Sequence, residues 1–381
     1  MEAMHTAKRH QPPASLRICN ETLYMVIGFL DQAAWLRCRR VCHRWQIACD
    51  QVGLGSFWVR LSSSCKARGL KSFAEKYAFS VTKLDLTSVV ASTALDVLLK
   101  HLVALEEIKL LKVSGRWTEA LLQRPSLRGL TILDTGSTPL KVQERKNLAS
   151  LFLWQAYGVK DKDVRLLIGD KLENLCISDS QYVGDSTLRT ISRNAPPLGE
   201  LVMRQVSSLS PNSLKSMLMT CSSTLHTLDL TGSCPGMALF PDVQLPKLES
   251  FISDSNAMDV SPALINCPNL QLLSVVRCSK LGDGLFAACI LSENRPTSLR
   301  ELVVVRLSGT KVSNFTLEFL ETLPKLKVIQ AESCRNLSRS VRLRLAERNR
   351  KFGTVESLAP ALRFASIAQH FLNSEEDSLA F

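Results

Sequence analysis

The run Trp35–Trp45, "WLRCRRVCHRW", holds two cysteines, a histidine, four arginines and two tryptophans in eleven residues. Three chemistries fit such a set. Cys38 and Cys42 stand four residues apart, so on a helix their thiols share a face, and His43 or Cys49 extends them toward a zinc-like donor set. Arg37, Arg39, Arg40 and Arg44 suit a grip on phosphate or carboxylate. The third chemistry is docking on another protein. Trp35, Cys38, Val41, Cys42, Trp45 and Cys49 fall on one apolar stripe of a single helix opened by Asp31, with the arginines largely off it. A thiol on an apolar stripe is usually a packing group. No Cys-x-x-Cys occurs in the chain, which weighs against a metal.

Elsewhere the chain lacks the spacings that catalysis uses. There is no Gly-x-Ser-x-Gly elbow, no glycine-rich phosphate loop and no His-Glu-x-x-His, and the six histidines are scattered. The expectation is a protein without catalytic residues, cofactor or metal.

Composition narrows the class further. Of 381 residues, 45% are hydrophobic and 22% charged, an ordinary globular balance. The net charge of +12 draws acidic or phosphorylated partners, yet aromatics are only 6% and no long Lys/Arg tract occurs, which argues against nucleic acid. The opening "MEAMHTAKRHQPPAS" has no apolar core of a signal peptide. The longest clean apolar stretch, "LYMVIGFL", is far short of the roughly 20 residues that span a bilayer. These readings predict a cytoplasmic or nuclear chain that uses no membrane and keeps its twelve cysteines as thiols.

The elements that must position any such site come from a repeat. The pattern apolar-x-x-apolar-x-apolar starts at Val81, Leu105, Leu127, Leu148, Leu172, Leu198, Leu225, Leu248, Leu270, Leu299 and Leu326. It is weakest at "LESFIS", where Ser253 takes the last apolar place. Side chains alternate along a strand, so the fourth and sixth positions point to one side. Between strands, "LSPNSLKSML" and "VSPALINC" carry N-caps Ser210 and Ser261 before a first-turn proline, and Asp185 and Asp283 can cap the turns they open. The motifs resemble leucine-rich repeats. Asn256, Cys278 and Cys334 take the ninth position, where that family has Asn or Cys bonding backbone inside the turn, and Thr135, Ser180 and Ser233 are small polar substitutes. The resemblance implies an α/β fold, a solenoid of about eleven parallel strands with return helices, roughly 50 Å along its inner curve.

Upstream, "ICNETLYMVIGFL" spaces Leu23, Val26, Ile27 and Leu30 as on one helix face, with Asn20 at its start. Two helices in under fifty residues make a marginal core that must pack on a neighbour. The residues here resemble an F-box: Glu21, Leu23, Ile27, Phe29, Leu30, Asp31, Leu36, Val41, Cys42, Trp45 and the later Phe57-Trp58 match its pattern, with Ile18 and Cys19 where the family has leucine and proline. The order of parts matches the F-box/leucine-rich-repeat family. That resemblance implies a disordered tail (1–14), F-box helices (15–61), a solenoid (62–350) and a C-terminal tail (351–381), partly helical and then acidic. It further implies the substrate receptor of a cullin–RING ubiquitin ligase of SCF type. Cys19, Glu21, Leu23, Ile27, Leu30, Leu36, Val41, Cys42, Trp45 and Trp58 would bind an adaptor that bridges to the cullin. The alternative is a non-enzymatic scaffold or inhibitor that acts without ubiquitin transfer.

A protein substrate would sit on the concave face, lined by the third, fifth and seventh positions. Leu111, Leu133 and Trp154 are successive seventh positions and predict an exposed apolar ladder, with Phe152 beside it at a fifth position. Arg277 and Arg306 read as eighth-position neighbours, and with Arg204 they suit a carboxylate or phosphate on an acidic or phosphorylated substrate.

Overall fold

The computed structural model describes residues 19–30, 32–56, 58–61, 67–88, 93–112, 115–137, 140, 142–206, 209–233, 243–256, 260–278, 280–291, 297–352 and 378–380. The expected N-terminal tail, and the C-terminal one apart from 351, 352 and 378–380, lie outside them.

Among the described residues one parallel sheet has thirteen strands. They are β1 (Trp58–Arg60), β2 (Lys83–Leu86), β3 (Glu107–Lys112), β4 (Gly129–Asp134), β5 (Ser150–Leu153), β6 (Asn174–Ser178), β7 (Glu200–Arg204), β8 (Thr227–Asp229), β9 (Ser250–Ile252), β10 (Leu272–Ser274), β11 (Val304–Arg306), β12 (Val328–Gln330) and β13 (Ser378–Ala380). Chain order and spatial order coincide from β1 to β12, and β13 returns to pair with β1. The N-terminal helices are α1 (Asn20–Gly28), α2 (Gln32–Cys38) and α3 (His43–Ser56). The return layer holds α4 (Ala67–Lys76), α5 (Thr93–His101), α6 (Gly115–Leu122), α7 (Asp161–Arg165), α8 (Asp185–Asn194), α9 (Pro211–Cys221), α10 (Ser261–Asn266), α11 (Gly284–Leu291), α12 (Asn314–Glu321) and α13 (Arg339–Phe352). This is an α/β leucine-rich-repeat solenoid.

Fourth positions pair with fourth positions. Leu84, Ile108, Leu130, Leu151, Leu175, Leu201, Leu228, Phe251 and Leu273 follow one another in register, all buried in a single core. Each repeat thus buries against its neighbours what it cannot bury alone. One register differs from the expectation. Leu273 pairs with Val305 and Ser274 with Arg306, so that repeat starts at Leu302 rather than Leu299. "LRELVVVRL" is apolar in both phases, and Leu299 is spent on the 3₁₀ turn Thr297–Glu301. The correction moves Arg306 to the fifth position.

The eighth position takes a left-handed backbone in repeat after repeat. Gln155, Asp179, Gln205, Ser255, Arg277 and Ser333 have φ between 47° and 59°, and glycine takes the place at Gly232 and Gly309. That bend turns the ninth side chain inward. Ser233, Asn256, Cys278 and Cys334 each donate to the sixth-position carbonyl of the preceding repeat, on Met203, Leu230, Ser253 and Leu307, at 2.7 to 3.2 Å. Ser253, the weak point of the pattern, is fully buried and accepts from Asn256 Nδ2.

Helix starts are tied across repeats. Ser210 caps α9 by accepting from Ser213 N, and α10 begins at Ser261. Asp185 and Asp283 cap the following repeat instead of their own. Asp185 accepts from Ser210 N at 2.6 Å, and Asp283 accepts from Ser313 N and from the Ser313 and Thr316 hydroxyls at 2.6 to 2.8 Å. Asp161 does the same for Gly184 and Thr187.

The single helix expected over 31–49 is two. Arg40 N bonds Arg37 O and Val41 N bonds Cys38 O, a tightening that ends α2. The break lets α2 fold along α3, with the Trp35 indole donating to Cys49 O at 2.8 Å and Arg39 pairing with Asp50 at 2.6 Å. No helix among the described residues is long and apolar enough to cross a membrane.

Candidate interaction surfaces

The N-terminal helices build a small core of their own. Leu23, Ile27, Trp35, Ala48 and Cys49 are buried, with Tyr24, Leu30, Cys38, Trp45 and Val52 packed against them. The unit is fastened to the solenoid, as its size requires: Tyr77 donates to Asp50 and Thr82 to Gly55 O. Cys19 is exposed and caps α1, its sulfur accepting from Thr22 N.

The expected apolar stripe divides into two populations. Trp35 and Cys49 are core, while Val41 is 64% exposed and Cys42 is also exposed, because both fall in the turn that separates the helices. Around them Arg37, Arg40, His43 and Arg44 face solvent. Met25, Val26, Phe29 and Ile47 are exposed on the same small unit. Leu23 and Ile27 hold the helices together and present nothing outward. Glu21 and Leu36 lie on α1 and α2. The three cysteines do not form one cluster: Cys38 and Cys49 pack on the same core, where burial and then the nearby Cys38 push the Cys49 thiol up to about 11, while Cys42 faces out.

Trp58 belongs elsewhere. It lies on β1 at the start of the sheet, where Val59 faces the core and pairs with Leu84. Alternation then places Trp58 and Arg60 on the concave side. There the Lys109 ammonium sits over the indole, 4.1 Å from the ring centroid. Lys109 is buried, and burial pulls its pKa down to about 8 despite the nearby Asp85.

Leu111, Leu133 and Trp154 do stand side by side, since Lys112 pairs with Asp134 and Ile132 with Leu153. Leu111 is exposed, and Leu133 and Trp154 are half-buried. Phe152 is not part of an exposed ladder. It is buried with Cys176 and Val202, three successive fifth positions that form a floor on which Trp154 rests. A fifth-position side chain stands in mid-strand, hemmed in by its neighbours on both sides, whereas a seventh position borders the turn.

The three arginines do not form one anion grip. Arg204 donates Nε and Nη2 to Asp229 Oδ2 at 2.7 and 2.6 Å and lies over the Trp154 ring. Arg306 donates to Gln330 at 3.0 Å. Arg277 is exposed at the left-handed eighth position, so it does not share a row with Arg306.

Sequence reasoning missed Asp85 and Asp229, which organise the concave face. Both are buried. Asp229 accepts from Thr231 N and Oγ1 through one oxygen and from Arg204 through the other. Asp85 repeats the arrangement with Thr87 and Arg60. The signal was present: "LDLT" occurs at both places.

No family model matches the chain. Solved structures similar to it include a chain of the yeast Rad7–Elc1 complex, with a TM-score of 0.45 and 16% identity over 86% of this chain and 85% of that one. Internalin InlF of Listeria monocytogenes gives 0.46 and 13% over 88% and 97%, and the Drosophila Toll–Spätzle complex 0.31 and 13% over 77% and 49%.

Proposed function

We propose that the chain is the substrate-recognition subunit of a cullin–RING ubiquitin ligase. On this reading α1–α3 form an F-box that binds the adaptor, and the concave face binds a protein substrate in the cytoplasm or nucleus. The observation that carries it is the knuckle at Val41 and Cys42, exposed on a unit that buries Trp35, Cys38, Trp45 and Cys49 in whole or part. A small fold has no internal use for an exposed valine on a unit that carries further exposed apolar side chains, and exposed apolar surface of this kind marks partner sites. The concave ladder of Leu111, Leu133 and Trp154 supplies a second, separate surface. A receptor built this way performs no bond chemistry. It raises the local concentration of substrate near a charged ubiquitin-conjugating enzyme.

Affinity capture from a cell lysate tests the reading. The intact chain is expected to retain a cullin and its adaptor, and Val41→Asp to lose both while keeping substrate. If the intact chain captures neither, the receptor reading fails and the scaffold alternative stands.

A further inference from the structure

Two arginines in the return layer, Arg145 buried and Arg124 half-buried, have no counter-ion among the described residues. Arg124 follows α6, and Arg145 lies one repeat on, between β4 and β5. Arg124 Nη2 donates to Leu102 O, just past α5. Arg145 donates Nη1 to Leu122 O, at the end of α6, and Nη2 to Leu127 O at 2.7 Å. Carbonyls at helix C-termini carry partial negative charge and do not cancel a full positive one. Arg124 Nη1 and Arg145 Nε are buried with no hydrogen-bond partner among the described residues. A water molecule would satisfy such an N–H and leave the buried charge unanswered. Burial draws both guanidinium pKa values below the ordinary arginine value.

Both arginines line open space at the edge where return helices end. A groove of about 670 Å³ runs between α5 and α6, walled by Arg124 with Lys100, Gln123 and Ser126. A neighbouring groove of about 360 Å³ is lined by Arg145 and Lys146 and shares Gln123. Carboxylates are present too. Asp96 borders the first, and Glu119 and Glu144 the second, held by Gln143 and Lys146 respectively. Among the described residues the first groove therefore keeps two cations against one acid, and it has the size of a small-molecule site.

We propose that this groove binds a small anion through phosphate or carboxylate oxygens, seated between Lys100 and Arg124, with Arg145 adding positive potential. The planar guanidinium suits either oxygen pair. The site lies apart from α1–α3 and from the concave ladder, so it does not depend on the ligase reading.

Thermal unfolding of the full chain tests it, with sodium phosphate, pyrophosphate and citrate titrated at constant ionic strength against chloride. At least one is expected to raise the unfolding midpoint saturably, with a stronger response to pyrophosphate marking phosphate recognition and to citrate marking carboxylate recognition. Arg124→Gln and, separately, Lys100→Ala are expected to weaken the half-saturating concentration about tenfold or more, equivalent to about 1.4 kcal/mol. Lys100 is exposed, so its variant reports even if Arg124→Gln fails to fold. A rise that does not saturate, that chloride matches, or that Lys100→Ala leaves unchanged overturns the proposal.

Discussion

The side-chain amide of Asn349 stands in for a missing strand beside Ile329. Its Nδ2 donates to Ile329 O at 2.9 Å, and its Oδ1 accepts from Ile329 N at 3.2 Å. Arg348, next to it on α13, donates to Lys327 O and Leu326 O. An open sheet edge is a template for pairing with another chain. The last helix closes this one with side chains, while at the other end β13 pairs with β1.

Asn349→Ala removes both bonds and bares the backbone of Ile329. The expected loss is about 2 kcal/mol of unfolding free energy, with concentration-dependent self-association through β12. Urea denaturation and sedimentation check the two parts. A variant as stable and monomeric as the parent would show that α13 covers the edge without these bonds.

Asp229 is the second test of an internal device. It is fully buried, and it holds Arg204 in place over Trp154. Asp229→Asn keeps an acceptor for Thr231 and leaves the half-buried Arg204 charge without its partner. Breaking such a pair costs about 3 kcal/mol. Arg204→Met in the same chain is expected to recover part of that loss, because the stranded charge is gone. Urea midpoints of the two single variants and the double variant give the coupling, and strict additivity would deny that the two residues act as a pair.

Much of the solenoid was legible because its signal is local. Alternation at Leu84 and Leu86, or at Leu201 and Met203, reports burial directly. The failures come from places where local sequence is ambiguous. Around Leu299 and Leu302 two phases are equally apolar, and only pairing with β10 selects the second. The break between α2 and α3 follows from Trp35 bonding Cys49 and Arg39 bonding Asp50, contacts that no single-helix periodicity contains. Phe152 and Trp154 look alike in a pattern, yet the fifth position is hemmed in and the seventh is not. Arg204 was visible as a charge, but its partner Asp229 lies in the next repeat.

Lys109 gives the sheet a pH signature. Its folded pKa of about 8 lies below the ordinary 10.5. Below pH 8 the ammonium is charged in both states, and the folded state bears the burial penalty. Between about 8 and 10.5 the unfolded chain holds more protons at this site, so stability rises with pH across that window. Lys109→Met is expected to be more stable near neutral pH and to lose that rise. Urea midpoints measured from pH 7 to 10.5 decide it, and an identical slope in parent and variant would place the lysine's charge in contact with solvent.

The concave ladder carries the last prediction. Trp154 is half-buried, supported from below by Phe152 and from the side by the Arg204 guanidinium. A tryptophan held in place from below and from one side loses little freedom on binding, which is the condition for a side chain that dominates an interface. Trp154→Ala is expected to weaken substrate capture by about 2 kcal/mol or more. Arg277→Ala removes an exposed side chain at the rim and is expected to change it by less than about 0.5 kcal/mol. Adaptor capture should not change in either variant, since α1–α3 are untouched. Quantitative capture with a substrate identified from the intact chain separates the cases. Equal retention by Trp154→Ala would move the binding surface off the ladder, and a large loss in Arg277→Ala would move it to the rim.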